Sequence, residues 1–161
     1  MASEEALDII DDEELLDCAT AALADIVEAM GMQVDVDGHF GDEQQIRLEL
    51  SGEDAERLIG KKGQTLDALQ MIVGKMVSRR AGRRQHVVVD AEGYRQRRAD
   101  SLVELAERLS QKAIDEGQVV ALNPMSPHDR RIIHIALREM DGISTRSEGE
   151  GDDRRLLIIP D

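Results

Sequence analysis

Apolar positions divide the chain into segments of different period. From Asp12 the residues Leu15, Leu16, Ala19, Ala22, Leu23, Ile26, Val27 and Met30 recur at steps of three and four, which gathers them on one face of an α-helix ending near Gly31. Val34 and Val36 then alternate with polar neighbours, as do Ile46, Leu48 and Leu50. The stretch from Asp37-Gly38 to Gly41-Asp42 between them is rich in turn formers, so a β-hairpin is predicted. A short helix over about residues 53–59 leads to a glycine turn, then to a helix whose inner face is Leu66, Leu69, Ile72, Val73, Met76 and Val77. Residues 86–90, with Val87, Val88 and Val89, form a short strand.

Beyond Asp90 the pattern changes. A long helix over roughly residues 92–115 carries Leu102, Leu105, Ala106, Leu109, Ala113 and Ile114, and Gly117 stops it. A strand near residues 119–122, a helix opening at Ser126 and a final hairpin through residues 143–159 complete the order. The fold class is therefore α+β. With 161 residues, 41% of them hydrophobic, the chain can bury one medium core or two small ones, and two small domains are favoured. The expected division is an acidic disordered arm over residues 1–11, from which Leu7, Ile9 or Ile10 could dock, then domains over residues 12–90 and 91–161.

No apolar run approaches membrane-spanning length, and Met1-Ala2-Ser3-Glu4-Glu5 carries acid where a signal or transit peptide carries base. A cytoplasmic protein without a membrane partner is expected. The single cysteine, Cys18, lies in the apolar stripe of the first helix and is expected in the core rather than in redox chemistry.

The net charge of −14 argues at first against a nucleic-acid partner, yet it is segregated. Residues 1–56 hold 18 acids against one base, Arg47, whereas residues 57–108 hold 12 bases against 6 acids; residues 109–161 are mildly acidic. At physiological salt the Debye length is about 8 Å, so a phosphate feels the local patch more than a distant acidic tail. The acidic arm is expected to compete with phosphate for basic surface and so to weaken non-specific binding.

The basic stretch contains Ile59-Gly60-Lys61-Lys62-Gly63-Gln64-Thr65-Leu66. Glycines bracketing two lysines let bare backbone approach a phosphate, offer N–H donors at the start of the next helix and add two cations. The plainer alternative is a helix–helix link with Gly60 as a C-cap. Arg79, Arg80, Arg83 and Arg84 around Gly82 suit either a helix C-terminus or a nucleic-acid backbone. Arg95, Arg97 and Arg98 stand early in the long helix, where the dipole disfavours cations, and call for either phosphate or pairing with the acidic N-terminal half.

In the order helix, strand, strand, helix, glycine turn, helix, strand, residues 12–90 resemble a type II K homology (KH) domain. That resemblance implies a groove for about four unpaired nucleotides. It assigns backbone clamping to Gly60, Lys61, Lys62 and Gly63, with Ile59 and Leu66 as groove lining.

A second motif is Asn123-Pro124-Met125-Ser126-Pro127-His128-Asp129-Arg130-Arg131-Ile132-Ile133-His134. Ser126 suits an N-cap, Pro127 the first helical position, and Asp129 the third, where a carboxylate completes a capping-box-like interaction. Arg130 and His134 lie four apart and so share one helix face. Arg-x-x-x-His in this setting, over residues 92–160, resembles the R-3-H domain, a small α/β domain that binds single-stranded nucleic acid. The resemblance implies that Arg130 forks onto a phosphate, that His134 hydrogen-bonds or stacks, and that Arg131 assists. The alternative for His134 is a half-buried histidine capping a nearby carbonyl.

Together the two resemblances identify the chain with bacterial Jag-type KH and R-3-H proteins, in a short form without a separate Jag-N domain. They imply a cytoplasmic RNA chaperone or post-transcriptional regulator linked to cell elongation and division. Its partners would be single-stranded RNA and a small single-KH protein, and no cofactor or metal is expected.

His39, His86, His128 and His134 show no metal-ligand spacing, and neither a Walker loop nor a Gly-x-Ser-x-Gly elbow occurs, so an enzyme is not expected. The rival is a protein-interaction module in which the KH fold forms a homodimer. An aromatic content of 1%, Phe40 and Tyr94, excludes an RNA mode built on aromatic stacking.

Overall fold

The computed structural model describes residues 10–161. Of the acidic arm expected over residues 1–11, residues 1–9 lie outside the described residues. The last two belong to the fold: Ile10 packs against the first core, and the Asp11 carboxylate accepts the Glu14 amide at 2.8 Å as N-cap of the first helix. A short carboxylate in extended backbone just before a helix satisfies one of its unpaired amides, which is why acid at this position specifies order.

The chain forms two compact units, Met1–Arg95 and Gln96–Asp161. The first contains α1 (Asp12–Ala29), β1 (Asp35–Phe40), β2 (Ile46–Ser51), a 3-10 turn at Ala55–Leu58 where a short helix was expected, α2 (Gln64–Ala81) and β3 (Val87–Ala91). Its sheet has the order β1-β2-β3. The hairpin pairs β1 with β2 antiparallel, and β3 joins β2 in parallel with Leu48 opposite Val89. A parallel neighbour needs a crossover connection, and α2 supplies it.

Ile46, Leu48 and Leu50 of the central strand are buried with Leu15, Ala19, Leu23 and Val27 of α1 and Leu66, Leu69, Val73 and Val77 of α2. Two members of the expected α2 inner face fall outside it, since Ile72 and Met76 are 44% and 46% exposed. Each precedes a buried valine by one residue and is turned about 100° around the helix from it. Cys18 is half-buried rather than a core residue.

In the second unit α3 (Tyr94–Glu116), whose first two residues belong to the first unit, is followed by β4 (Val120–Ala121), α4 (Pro127–Leu137), β5 (Ile143–Glu148) and β6 (Arg155–Pro160). The sheet order is β4-β6-β5, antiparallel throughout. Leu102, Ala106 and Ala113 of α3, Ile133 and Leu137 of α4, and Leu156 and Ile158 of β6 form its core. Ile114, expected on the inner face of α3, is exposed.

Candidate nucleic-acid interface

The Gly60–Gly63 turn adopts backbone that only glycine tolerates well at both ends. Gly60 has φ 71° and ψ −175°, and Gly63 is left-handed at φ 79°. A Cβ on Gly60 would collide with the Thr65 hydroxyl and lie 2.9 Å from the Thr65 amide nitrogen; one on Gly63 would lie 2.8 Å from Cε1 of Tyr94. Between them Lys61 and Lys62 are exposed, Lys62 itself left-handed at φ 54°. An ordinary C-cap needs one left-handed residue, whereas this turn holds three special conformations within four positions.

The expected amide donors at the start of α2 are not available. The Gly63 amide donates to Gly60 O, Gln64 to Lys61 O, and Thr65 and Leu66 both to Ile59 O, at 3.1 and 3.4 Å. Four amides at the start of α2 are thus spent inside the fold, and attraction for phosphate draws on the two ammonium groups and on close approach to bare glycine. Ile59 is half-buried beside the turn and packs against the first core. Leu66, expected as groove lining, is fully buried in the core and anchors α2 from beneath.

The arginines separate into paired and exposed sets. Arg95 and Arg98 are paired inside the fold, Arg95 with a carboxylate of the N-terminal half and Arg98 with one of the C-terminal half. Arg95 bonds Asp67 at 2.9 Å and Arg98 bonds Asp129 at 2.9 Å. Arg83 pairs with Asp12 at the surface, and Arg79, Arg80 and Arg84 are exposed. These cluster at the far end of α2, about 27 Å from the glycine turn at 1.5 Å per residue, so they do not join Lys61 and Lys62 at one phosphate.

In the second unit the start of α4 forms as its residues dictate. The Ser126 hydroxyl accepts the Asp129 amide at 3.1 Å and Pro127 occupies the first turn. The Asp129 carboxylate does not complete a capping box; it is buried and takes two bonds from Arg98, at 2.9 and 3.3 Å. Arg130 and His134 then face β5 across an open cleft of about 310 Å³ lined also by Pro127, Arg131, Thr145, Ser147 and Leu156. Arg130 is held by Nε donating to Met125 O at 3.3 Å and Nη1 donating to the Ser147 hydroxyl at 3.0 Å. That leaves the remaining edge of the planar fork toward the cleft.

His134 is exposed, and its Nδ1 lies 2.6 Å from the Thr145 hydroxyl rather than at a carbonyl. When the hydroxyl donates to Nδ1, Nε2 carries a proton outward, and a charged ring donates from both nitrogens. Arg131 is exposed at the cleft's edge. The helix spacing signalled Arg130 and His134 but not Thr145 and Ser147. Their signal is the alternation Ile143, Thr145, Ser147 on β5, half-buried between exposed neighbours.

Every feature above belongs to one architecture, a glycine-turn α+β unit followed by an Arg-x-x-x-His unit. Residues 17–89 match the KhpA/KhpB KH domain, and residues 100–160 match the R-3-H domain. The chain belongs to the family of proteins that join these two domains. It is similar to proteins named RNA-binding protein KhpB. Identity is 39% over 147 residues to that of Clostridium symbiosum, covering 91% of this chain and 66% of the relative. It is 37% over 138 residues to that of Bacillus subtilis, covering 84% and 66%. It is 33% over 144 residues to that of Lactiplantibacillus plantarum, covering 87% and 44%. The chain thus spans under two thirds of the length of these relatives. Among the described residues no helix is long and apolar enough to cross a membrane.

Proposed function

We propose that the protein binds single-stranded RNA through two sites, the Gly60–Gly63 turn with Ile59 beside it, and the cleft of Arg130, Arg131 and His134. The observation that carries this is the turn itself: two exposed lysines on backbone that glycine alone adopts easily, a costly geometry whose benefit is close approach of a backbone to a phosphate. The low aromatic content agrees with a groove that grips backbone and a few bases instead of stacking a run of them. In the cell this would be the work of a cytoplasmic RNA chaperone or post-transcriptional regulator, and membership of the family supports a link to elongation and division.

The test is fluorescence anisotropy of a short unstructured RNA against the wild type, Lys61→Asp/Lys62→Asp and Arg130→Ala/His134→Ala at two salt concentrations. Removing one phosphate interaction flattens the log–log salt slope by about 0.7 for a single strand. Flatter slopes and weaker binding in both variants are expected; unchanged binding by the folded lysine variant removes the KH site from the proposal.

A second reading is favoured by one observation. Met71, Ile72 and Met76, 58%, 44% and 46% exposed, form an apolar strip along α2. It suits a small single-KH protein or a second copy of the chain as a partner. Mass measurement in solution after RNA removal, with and without Ile72→Glu, tests this: a dimer that Ile72→Glu dissolves supports it, and a monomeric wild type that captures no single-KH protein removes it.

A further inference from the structure

Residues 90–99 fall between the two matched domains, yet two of them hold the glycine turn in place. The Tyr94 ring lies on the side of Gly63 where a side chain would project, its Cε1 only 2.8 Å from an ideal Cβ position, and Gly63 is buried beneath it. The next residue, Arg95, fans its guanidinium over three acceptors: Nε to Val89 O at 2.8 Å, Nη1 to Asp67 at 2.9 Å and Nη2 to Gln70 at 3.0 Å. Gln70 Oε1 also accepts the Val89 amide at 3.1 Å. The Arg95 amide is itself fixed by the buried Asp90 carboxylate at 3.1 Å, which also accepts the Ala91 amide. The first turns of α2 are thereby fastened to the open edge of β3.

Asp67 gives this web an electrostatic consequence. It stands four residues after Gly63, about 6 Å along the helix, with its side chain 48% exposed. A phosphate at Lys61 and Lys62 would lie within a Debye length of this carboxylate, and Arg95 is its counter-ion. We propose that Tyr94 and Arg95 are positioning residues of the KH clamp: Tyr94 holds the glycine turn in its left-handed form, and Arg95 orients the start of α2 while cancelling the Asp67 charge that faces the incoming strand.

The inference rests on the RNA-binding function proposed above, so its test has two arms. Without RNA, hydrogen exchange of the Gly63, Thr65 and Leu66 amides is measured in the full chain and in Tyr94→Ala, with β2 amides as the internal reference. Exchange about tenfold or more faster in the turn, with β2 unchanged, is expected. Turn amides that exchange as in the wild type overturn the Tyr94 role whether or not RNA binds, and acceleration that spreads equally to β2 does the same by making Tyr94 a general stability residue.

With RNA, affinity is compared for wild type, Arg95→Gln, Asp67→Asn and Arg95→Gln/Asp67→Asn. A counter-ion role predicts a roughly three- to tenfold loss in Arg95→Gln that the second substitution largely restores. A loss that Asp67→Asn does not restore, with the salt slope flattened by about 0.7, would make Arg95 a phosphate contact and refute positioning. No loss in Arg95→Gln also refutes it. A wild type that binds no RNA removes the Arg95 role together with the function it serves, while the exchange arm still decides the role of Tyr94.

Discussion

The backbone of the glycine turn makes a prediction whose size follows from its geometry. In Gly60→Ala the residue must hold φ 71° and ψ −175°, which costs about 1–3 kcal/mol for a residue with a side chain. Its Cβ would also stand 2.9 Å from the Thr65 nitrogen, the donor of the 3.1 Å bond to Ile59 O that closes the turn. Backbone cannot swing aside as a side chain can, so most of that bond, about 1 kcal/mol net, is forfeited as well. The total is about 2–4 kcal/mol. Gly74→Ala, in the middle of α2 with nothing within 4 Å of its Cβ position, is the control: it should gain about 0.5–1 kcal/mol from helix propensity. In a domain of this size 1 kcal/mol moves Tm by about 4–8 °C. Calorimetry should therefore show the transition of the first unit falling by roughly 8–32 °C in Gly60→Ala and rising by about 2–8 °C in Gly74→Ala. A Gly60→Ala transition within about 2 °C of the wild type would refute the strained turn, and with it the claim that glycine is there for its backbone.

Three further outcomes follow from individual contacts. Arg98→Ala strips the buried Asp129 carboxylate, 7% exposed, of both its guanidinium bonds and should destabilise the second unit by about 2–3 kcal/mol; Arg98→Ala/Asp129→Asn should recover part of this, and chemical denaturation would read both. Ser126→Ala removes the cap of α4 and should cost about 1 kcal/mol by the same measurement. The Gln33 amide, and then Arg57, hold the Asp54 carboxyl below its usual range. A depressed folded-state pKa adds stability above the ordinary aspartate value that disappears as pH falls through the lowered one, so Asp54→Asn should be less stable than wild type near neutrality and converge with it in acid, and parallel curves would refute the pairing.

The elements were legible because each carries a local rule. Period-three and period-four runs marked α1 and α3, alternation marked β2, and Ser126-Pro127 fixed the start of α4 to the residue, whereas β1 runs on through Asp37, Gly38, His39 and Phe40, expected as turn, because each pairs with β2. What local rules cannot set is the phase of an apolar stripe that is wider than the core needs. Leu66, Leu69, Ile72, Val73, Met76 and Val77 all look inward on a helical wheel, and only packing against α1 and β3 decides that Leu66 is buried and Ile72 is not. The same limit governs the sites. Gly60, Gly63, Arg130 and His134 are spaced within single segments, but Tyr94 meets Gly63, and Ser147 meets Arg130, only through contacts distant in sequence.

Charge shows why net totals mislead here. Of the bases between residues 57 and 108, Arg57, Arg83, Arg95 and Arg98 are each matched to a carboxylate, so their positive charge is largely cancelled where it stands. Positive charge also lies on exposed side chains such as Lys61, Arg79, Arg80 and Arg84, at the two ends of one helix. Acids of the N-terminal third are put to local use as well: Asp54 and Asp12 answer arginines, and Asp11 caps α1. A chain of net charge −14 can thus present phosphate with small cationic sites while repelling it elsewhere. For the RNA-binding role proposed above that distribution favours selectivity over affinity, because a phosphate backbone is attracted at the few cationic sites and repelled over the acidic surface around them.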